Sequence, residues 1–258
     1  MHIIDRYAYA NRIRQVDPAQ KVALVLAVLV LCLVLNEPLV GLLAVAWMWG
    51  LVVWLAGLSG RVFGTVLLME VLFFILTTIG VALSISLADP GLLADWSVRV
   101  GPLWFSTSRE NLELASQLIT RALGATAAMN FLTLTTPLVD LVDLGRRWRL
   151  PPLLIDLMTV IYRFIFVLID AAGRIRMAQE SRLGYNTSFY RAINSAGLLG
   201  SRLFIDAFQR SCRLNIALES RGFEGELRVL PAEYLFDRKT MWASLTVVVT
   251  LLLVWIVV

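Results

Sequence analysis

The sequence predicts an all-α integral membrane protein, with about five transmembrane helices and a cytoplasmic module of long amphipathic helices. Three observations lead there. Of 258 residues, 59% are hydrophobic and 16% charged, against about 25% charged in ordinary globular domains. Several nearly uncharged runs approach or reach the length that crosses hydrocarbon. Arginine and lysine gather on one side once those runs are numbered.

The first span starts in Val22–Leu35, which is free of charge and stops at Asn36-Glu37-Pro38. It is short, so Ala19-Gln20 extend it or the bilayer thins around it. Leu39–Leu58 follows directly, with Trp47, Trp49 and Trp54, and the two read as a tight hairpin. Val62–Leu87 is the third span, broken only by Glu70. Asp89–Glu110 reads as a polar loop with Pro90, Gly91, Gly101 and Pro102. Leu112–Leu134 is the fourth span and carries Arg121. Met241–Val258 is the last, with Trp242 and Trp255 near its ends, where interfacial aromatics concentrate. No signal-peptide pattern precedes the first run. The expected organisation is 1–137 for the N-terminal segment and four spans, 138–239 for the amphipathic module, and 240–258 for the last span.

Leu153–Ile169 tests this map. Asp156 and Arg163 each cost about 2.5–3.5 kcal/mol at a helix centre, and a dozen apolar residues at about −0.3 to −0.6 kcal/mol each only offset them. Insertion energy is therefore near neutral, and topology decides. If this segment spanned, everything from Arg174 to Lys239 would move outside, against the positive-inside rule. It is expected to be a cytoplasmic or interfacial helix.

Within the module, Asp156, Arg163, Asp170 and Arg174 fall within about 40° of one another at 100° per residue. Their signs alternate, and Asp170 with Arg174 is an i,i+4 pair, so the stripe is expected to neutralise itself. Past Arg174, Arg176, Gln179, Glu180 and Arg182 spread round the helix, which presents Ser181-Arg182-Leu183 at a tip and stops at Gly184 and Asn186. Residues 188–221 form a second amphipathic stretch. Arg191, Arg202, Asp206, Gln209, Arg210 and Arg213 share an arc of roughly 100°. Gly197 and Gly200 lie near its apolar side, where they would admit close helix contact. It ends at Ser220-Arg221-Gly222, with Gly222 placed as the residue after the cap. Each tip thus carries a small residue and an arginine whose guanidinium can fork onto a carboxylate. The plainer reading is that the helix macrodipole alone favours arginine at a C-terminus.

Several functions are disfavoured. The net charge of +4 reads as topology rather than nucleic-acid affinity. No Gly-x-x-x-x-Gly-Lys phosphate loop is present, so the chain is not expected to hydrolyse ATP. One histidine, His2, and two separated cysteines, Cys32 and Cys212, offer no metal cluster or disulfide. Glu70 and Arg121 are the intramembrane charges. Such groups mark function by default, and the alternative is an interhelical hydrogen bond or snorkelling.

At its two tips the chain resembles the CbiQ/EcfT family, the transmembrane coupling subunits of energy-coupling-factor transporters. The family's signature is a pair of Ala-Arg-Gly-like tripeptides. Ser220-Arg221-Gly222 is similar to the second, with Ser in place of Ala, and Ser181-Arg182-Leu183 to the first, with Leu183 in place of Gly. Asp17-Pro18-Ala19-Gln20-Lys21 resembles the family's Asp-Pro-Arg-x-Lys before the first span. Leu132-Thr133-Leu134-Thr135-Thr136-Pro137 resembles its Thr-Thr-Pro exit from the fourth, and Tyr162-Arg163-Phe164 with Asp170 its cobalt-type branch.

The resemblance implies a non-catalytic subunit of an ATP-driven importer in the cell inner membrane. Its N-terminus and module are then cytoplasmic. Two ABC ATPase subunits bind the tips through Arg182 and Arg221, and ATP belongs to them, with no cofactor on this chain. A CbiM-like capture subunit, with a small CbiN-like one, supplies the substrate site. Cobalt is the expected cargo, with nickel next and vitamins behind. The competing readings are a stand-alone secondary transporter or channel using Glu70 and Arg121, and a membrane scaffold for a soluble complex.

Overall fold

The computed structural model describes residues 3–35, 37–82, 84–86, 96–100, 103–182, 188–223, 225 and 234–257. Nine α-helices occur among them. They are α1 (Ile3–Ala10), α2 (Pro18–Val34), α3 (Pro38–Trp54), α4 (Gly60–Ala82), α5 (Arg109–Thr135), α6 (Leu138–Arg147), α7 (Pro152–Glu180), α8 (Phe189–Glu219) and α9 (Arg238–Val257). Three strands, β1 (Ser84–Ser86), β2 (Trp96–Val100) and β3 (Leu103–Thr107), lie between α4 and α5. The chain divides into two compact units. One is Leu138–Ala232, and the other joins His2–Pro137 to Glu233–Val258.

The larger unit is built by helices whose ends are written locally. Asp17 caps α2 by accepting a bond from the Ala19 N–H at 3.0 Å, with Pro18 in the first turn. Ser108 caps α5 through the Asn111 N–H. Asp237 opens α9 by accepting from the N–H groups of Lys239 and Thr240 and from the Thr240 hydroxyl. That hydroxyl bond holds the Asp237 carboxyl below the usual carboxylate range. The core joins Val28 and Cys32 of α2 to Ala44, Met48 and Val52 of α3. It continues through Phe63 of α4, Ala127 and Phe131 of α5, and Val247 and Leu251 of α9.

α3 crosses α5 at Gly41 and Gly124. A side chain at Gly41 would run into the Thr120 carbonyl, and one at Gly124 would lie 3.1 Å from the Gly41 Cα. Small residues let two backbones meet this way inside a bilayer. By contrast α4 exposes Leu68, Met69, Leu72 and Leu76, each at 70% or more. An apolar surface of that kind belongs in lipid or under another membrane subunit.

Two expectations about this unit change. The stretch read as a polar loop holds an antiparallel sheet of order β1-β3-β2, with Val98 opposite Phe105 and Ile85 opposite Phe105 on the other side. Alternation over Trp96-Ser97-Val98-Arg99-Val100 carries the period-2 signal. The remainder of that stretch, including Pro90, Gly91, Gly101 and Pro102, lies outside the described residues. The third span also ends sooner than expected, α4 stopping at Ala82.

Gly60–Gly80, Pro152–Glu180 and Arg238–Ile256 are long and apolar enough to cross a membrane, and α2 and α3 are shorter apolar helices. At 17 residues each, those two reach about 25 Å, less than the roughly 30 Å hydrocarbon core. The segment read as a helix over 153–169 is one continuous helix of 29 residues running on to Glu180.

Candidate functional site: two arginine-bearing helix ends

The smaller unit consists of α6, α7 and α8. α6 ends in a left-handed turn at Arg149, φ 58°, with the Leu150 N–H returning to the Gly145 carbonyl at 3.2 Å. This is the Schellman pattern with arginine where glycine is usual, and Pro151 follows it before α7. Arg146 lies 3.9 Å from Asp143 on its own helix and 4.0 Å from Asp156 on α7. Asp156 therefore meets a cation from α6. Asp170 and Arg174, expected to pair, are not joined by an ion pair among the described residues. Arg174 instead lines a concavity of about 270 Å³ with Arg202, Asp206, Gln209 and Arg210 of α8, where Asp206 takes a 2.9 Å bond from Arg210. Arg163 sits half-way along α7 and forms no ion pair among the described residues.

The two tips share one local geometry. Ser181 Oγ donates to the Ala178 carbonyl and Ser220 Oγ to the Ala217 carbonyl, both at 3.0 Å. The Arg182 N–H donates to Gln179 O and the Arg221 N–H to Leu218 O, both at 3.1 Å. Arg182 and Arg221 are both exposed. Gly222 takes φ +71°, and the Phe223 N–H closes the turn onto Leu218 O at 3.1 Å. Leu183, Gly184 and Asn186 lie outside the described residues.

Gln179 Nε2 donates to Ser195 O at 3.1 Å, so the end of α7 meets the beginning of α8. From Ser195, α8 runs 25 further residues to Ser220, about 37 Å at 1.5 Å per residue. The arginines therefore stand at opposite ends of α8, far enough apart to meet two separate partners. α8 buries no residue, and its Phe204 and Phe208 are exposed. Gly197 and Gly200, which would admit close helix contact, meet none among the described residues: a Cβ at either has nothing within 4 Å.

The intramembrane charges do not come together. Both Glu70 carboxylate oxygens accept from Asn130 Nδ2 at 2.9 Å. Asn130 is nine residues from Arg121 along α5, about 13 Å of rise.

A further constellation emerges only in three dimensions. Lys21 is fully buried and donates to the Thr135 carbonyl at 3.1 Å, where Asn11 Nδ2 also donates at 3.1 Å. The Asp17-to-Lys21 motif and the Thr135-Thr136-Pro137 motif thus meet, and the last carbonyl of α5 is tied to the start of α2. Sequence reading placed Lys21 only within the Asp17-to-Lys21 motif. A lysine directly before a charge-free run, one turn into α2, is the available signal, since its burial demands a partner.

Residues 10–231 match the CbiQ family model, described as a cobalt transport protein. The chain is 31% identical over 230 residues to the cobalt transport protein CbiQ of Salmonella typhimurium, covering 88% of this chain and 99% of that one. It is 31% identical over 232 residues to the "Putative fused cobalt transport protein CbiMQ" of Methanocorpusculum labreanum, covering 90% of this chain and 38% of that one. With the energy-coupling factor transporter transmembrane protein EcfT of Staphylococcus aureus the identity is 28% over 242 residues, 88% of this chain and 85% of the other. Among the described residues, no group of three or more His, Cys, Asp or Glu side chains converges. A helical membrane body, two matched arginine tips and these relatives together make the chain a member of the CbiQ/EcfT family of transport proteins.

Proposed function

We propose that the chain is the transmembrane energy-coupling subunit of an energy-coupling-factor ABC importer, and that cobalt ion is the cargo. Two ATPase subunits bind the tips, one through Ser181-Arg182-Leu183 and one through Ser220-Arg221-Gly222, and they alone use ATP. A CbiM-like subunit, with a CbiN-like one, captures the ion and packs on the apolar surfaces. The N-terminus and the α6–α8 unit face the cytoplasm. α7 lies there or at the interface, although its length and composition would allow it to span.

The observation that carries this reading is the pair of exposed arginines in one repeated geometry at opposite ends of α8. A guanidinium paired bidentately with a carboxylate resists both sliding and rotation, so a moving ATPase would drag each tip in register. The exposed Phe204 and Phe208 of α8 offer the apolar side to a membrane partner. The name of the fused CbiMQ relative supports a CbiM-like neighbour, and those of the cobalt transport relatives support the cargo. Against a stand-alone transporter stands the distance between Glu70, held by Asn130, and Arg121.

Charge reversal tests it. Arg182→Glu with Arg221→Glu is expected to abolish co-purification of the ATPase subunits and cobalt uptake while the chain stays folded in the membrane. A double variant that still assembles and transports rules the assignment out. Labelling of a cysteine at position 188 from outside intact cells would refute the topology.

A further inference from the structure

An apolar groove of about 550 Å³ runs along α3 against α9. It is lined by Leu43, Trp47, Trp49, Gly50 and Trp54 of α3 and by Ala243 of α9. That volume lies within the roughly 300–1,000 Å³ of ligand sites. Its walls carry no charged side chain, which suits a hydrocarbon chain.

One end of the groove is basic. Trp54, 83% exposed, closes α3 at that end. Beside it the Arg12 N–H donates to Ala56 O at 3.1 Å. The Arg12 side chain lies against Gly57, where an added Cβ would be 2.9 Å from its Cδ and Nε. Gly60, at the start of α4, packs on the Trp49 ring, its Cβ position 3.3 Å from Cζ2, and brings Arg61 with it. The bridge between Val16 and Leu235 sets the start of α9 beside the start of α2. Lys239 is four residues before Ala243, hence on the same face and about 6 Å nearer that end. Arg12, Arg61 and Lys239 are all exposed. Asp237, whose carboxylate feels the Lys239 charge, has both oxygens engaged in capping α9.

We propose that this groove is a binding site for one anionic phospholipid, with an acyl chain along α3 and the phosphate among Arg12, Arg61 and Lys239. Charge complementarity selects the lipid. A hydrocarbon slot ending in several cations and rimmed by tryptophans matches a headgroup and chain at the membrane interface.

Gly50 provides the test. A Cβ there meets nothing within 4 Å, so the backbone admits a side chain at this wall of the groove, and Gly50→Leu is designed to occupy it. The purified full chain in detergent is titrated with dioleoyl phosphatidylglycerol or dioleoyl phosphatidylcholine, and bound lipid is counted by native mass spectrometry. The wild type is expected to prefer phosphatidylglycerol. Arg12→Gln with Lys239→Gln is expected to lower its affinity about 25-fold, at about fivefold per cation, leaving phosphatidylcholine unchanged. Gly50→Leu is expected to lose the first-bound lipid while melting no lower than wild type. Equal retention of the two lipids, or a Gly50→Leu chain that keeps phosphatidylglycerol, overturns the proposal. So does a benzophenone at position 50 that, in the assembled transporter in membranes, cross-links to a protein subunit instead of lipid.

Discussion

Alanine at Gly41 is expected to damage the protein more than alanine at any open glycine, and the structure fixes the reason. A Cβ on Gly41 would lie 2.5 Å from the Thr120 carbonyl carbon and 3.1 Å from the Arg121 nitrogen, with the Thr120 oxygen nearer still. Carbon atoms rest at about 3.5–4.0 Å, so the shortfall is about 1 Å. Every opposing atom is backbone of α5, and no side chain can rotate out of the way. The two helices must part, loosening Ala44, Met48, Ala127 and Phe131, all fully buried. Overpacking costs about 1–3 kcal/mol, and with no yielding atom the upper end applies. Alanine returns about 1 kcal/mol of helix propensity. The net loss is about 2 kcal/mol, or about 4–8 °C in Tm for a chain of this size.

The assay is a thermal melt of purified variants in detergent. Gly64→Ala is the internal control, because its Cβ meets nothing within 4 Å, and its Tm should hold or rise. Gly124→Ala should fall between the two: its nearest neighbour is Cys32 Sγ at 2.9 Å, which can turn, although the Gly41 Cα and carbonyl lie at 3.1 Å. If Gly41→Ala melts within about 2 °C of Gly64→Ala, the backbone crossing does not hold these helices together.

Lys21→Ala empties a fully buried stem and removes the bond to Thr135 O; a loss of about 3 kcal/mol is expected by chemical denaturation. Arg149→Gly relieves a left-handed residue at φ 58° and should raise stability by about 1 kcal/mol in the same assay. Asp237 titrates below the usual range because it accepts the Thr240 hydroxyl and the first N–H groups of α9. Its contribution is therefore full above the unfolded aspartate pKa of about 3.9 and fades as pH falls through the lower folded value. The Tm gap between wild type and Asp237→Ala should accordingly be constant near neutrality and shrink below about pH 4.

Several features were legible because they are local. The hydropathy runs marked the apolar helices. Gly222 marked the end of α8, since capping chemistry sits within one turn of the end it closes; Asp17, the cap of α2, was read only as part of a motif. The tips could be found as tripeptides, but their separation along α8 required the contact of Gln179 with Ser195. The stripe on α7 was visible as a periodicity, yet Asp156 chose Arg146 and Arg174 turned to α8.

By itself, the sequence determined that this is a helical membrane protein, where its apolar helices lie, and that two arginine tips end its long amphipathic ones. Only the tertiary structure decided who meets whom: Gly41 with the Thr120 carbonyl, Lys21 with Thr135, Glu70 with Asn130. The physical reason is the solvent. A helix apolar on every side has no preferred face in hydrocarbon, so its partners are set by backbone fit and by the few polar groups that must find one another.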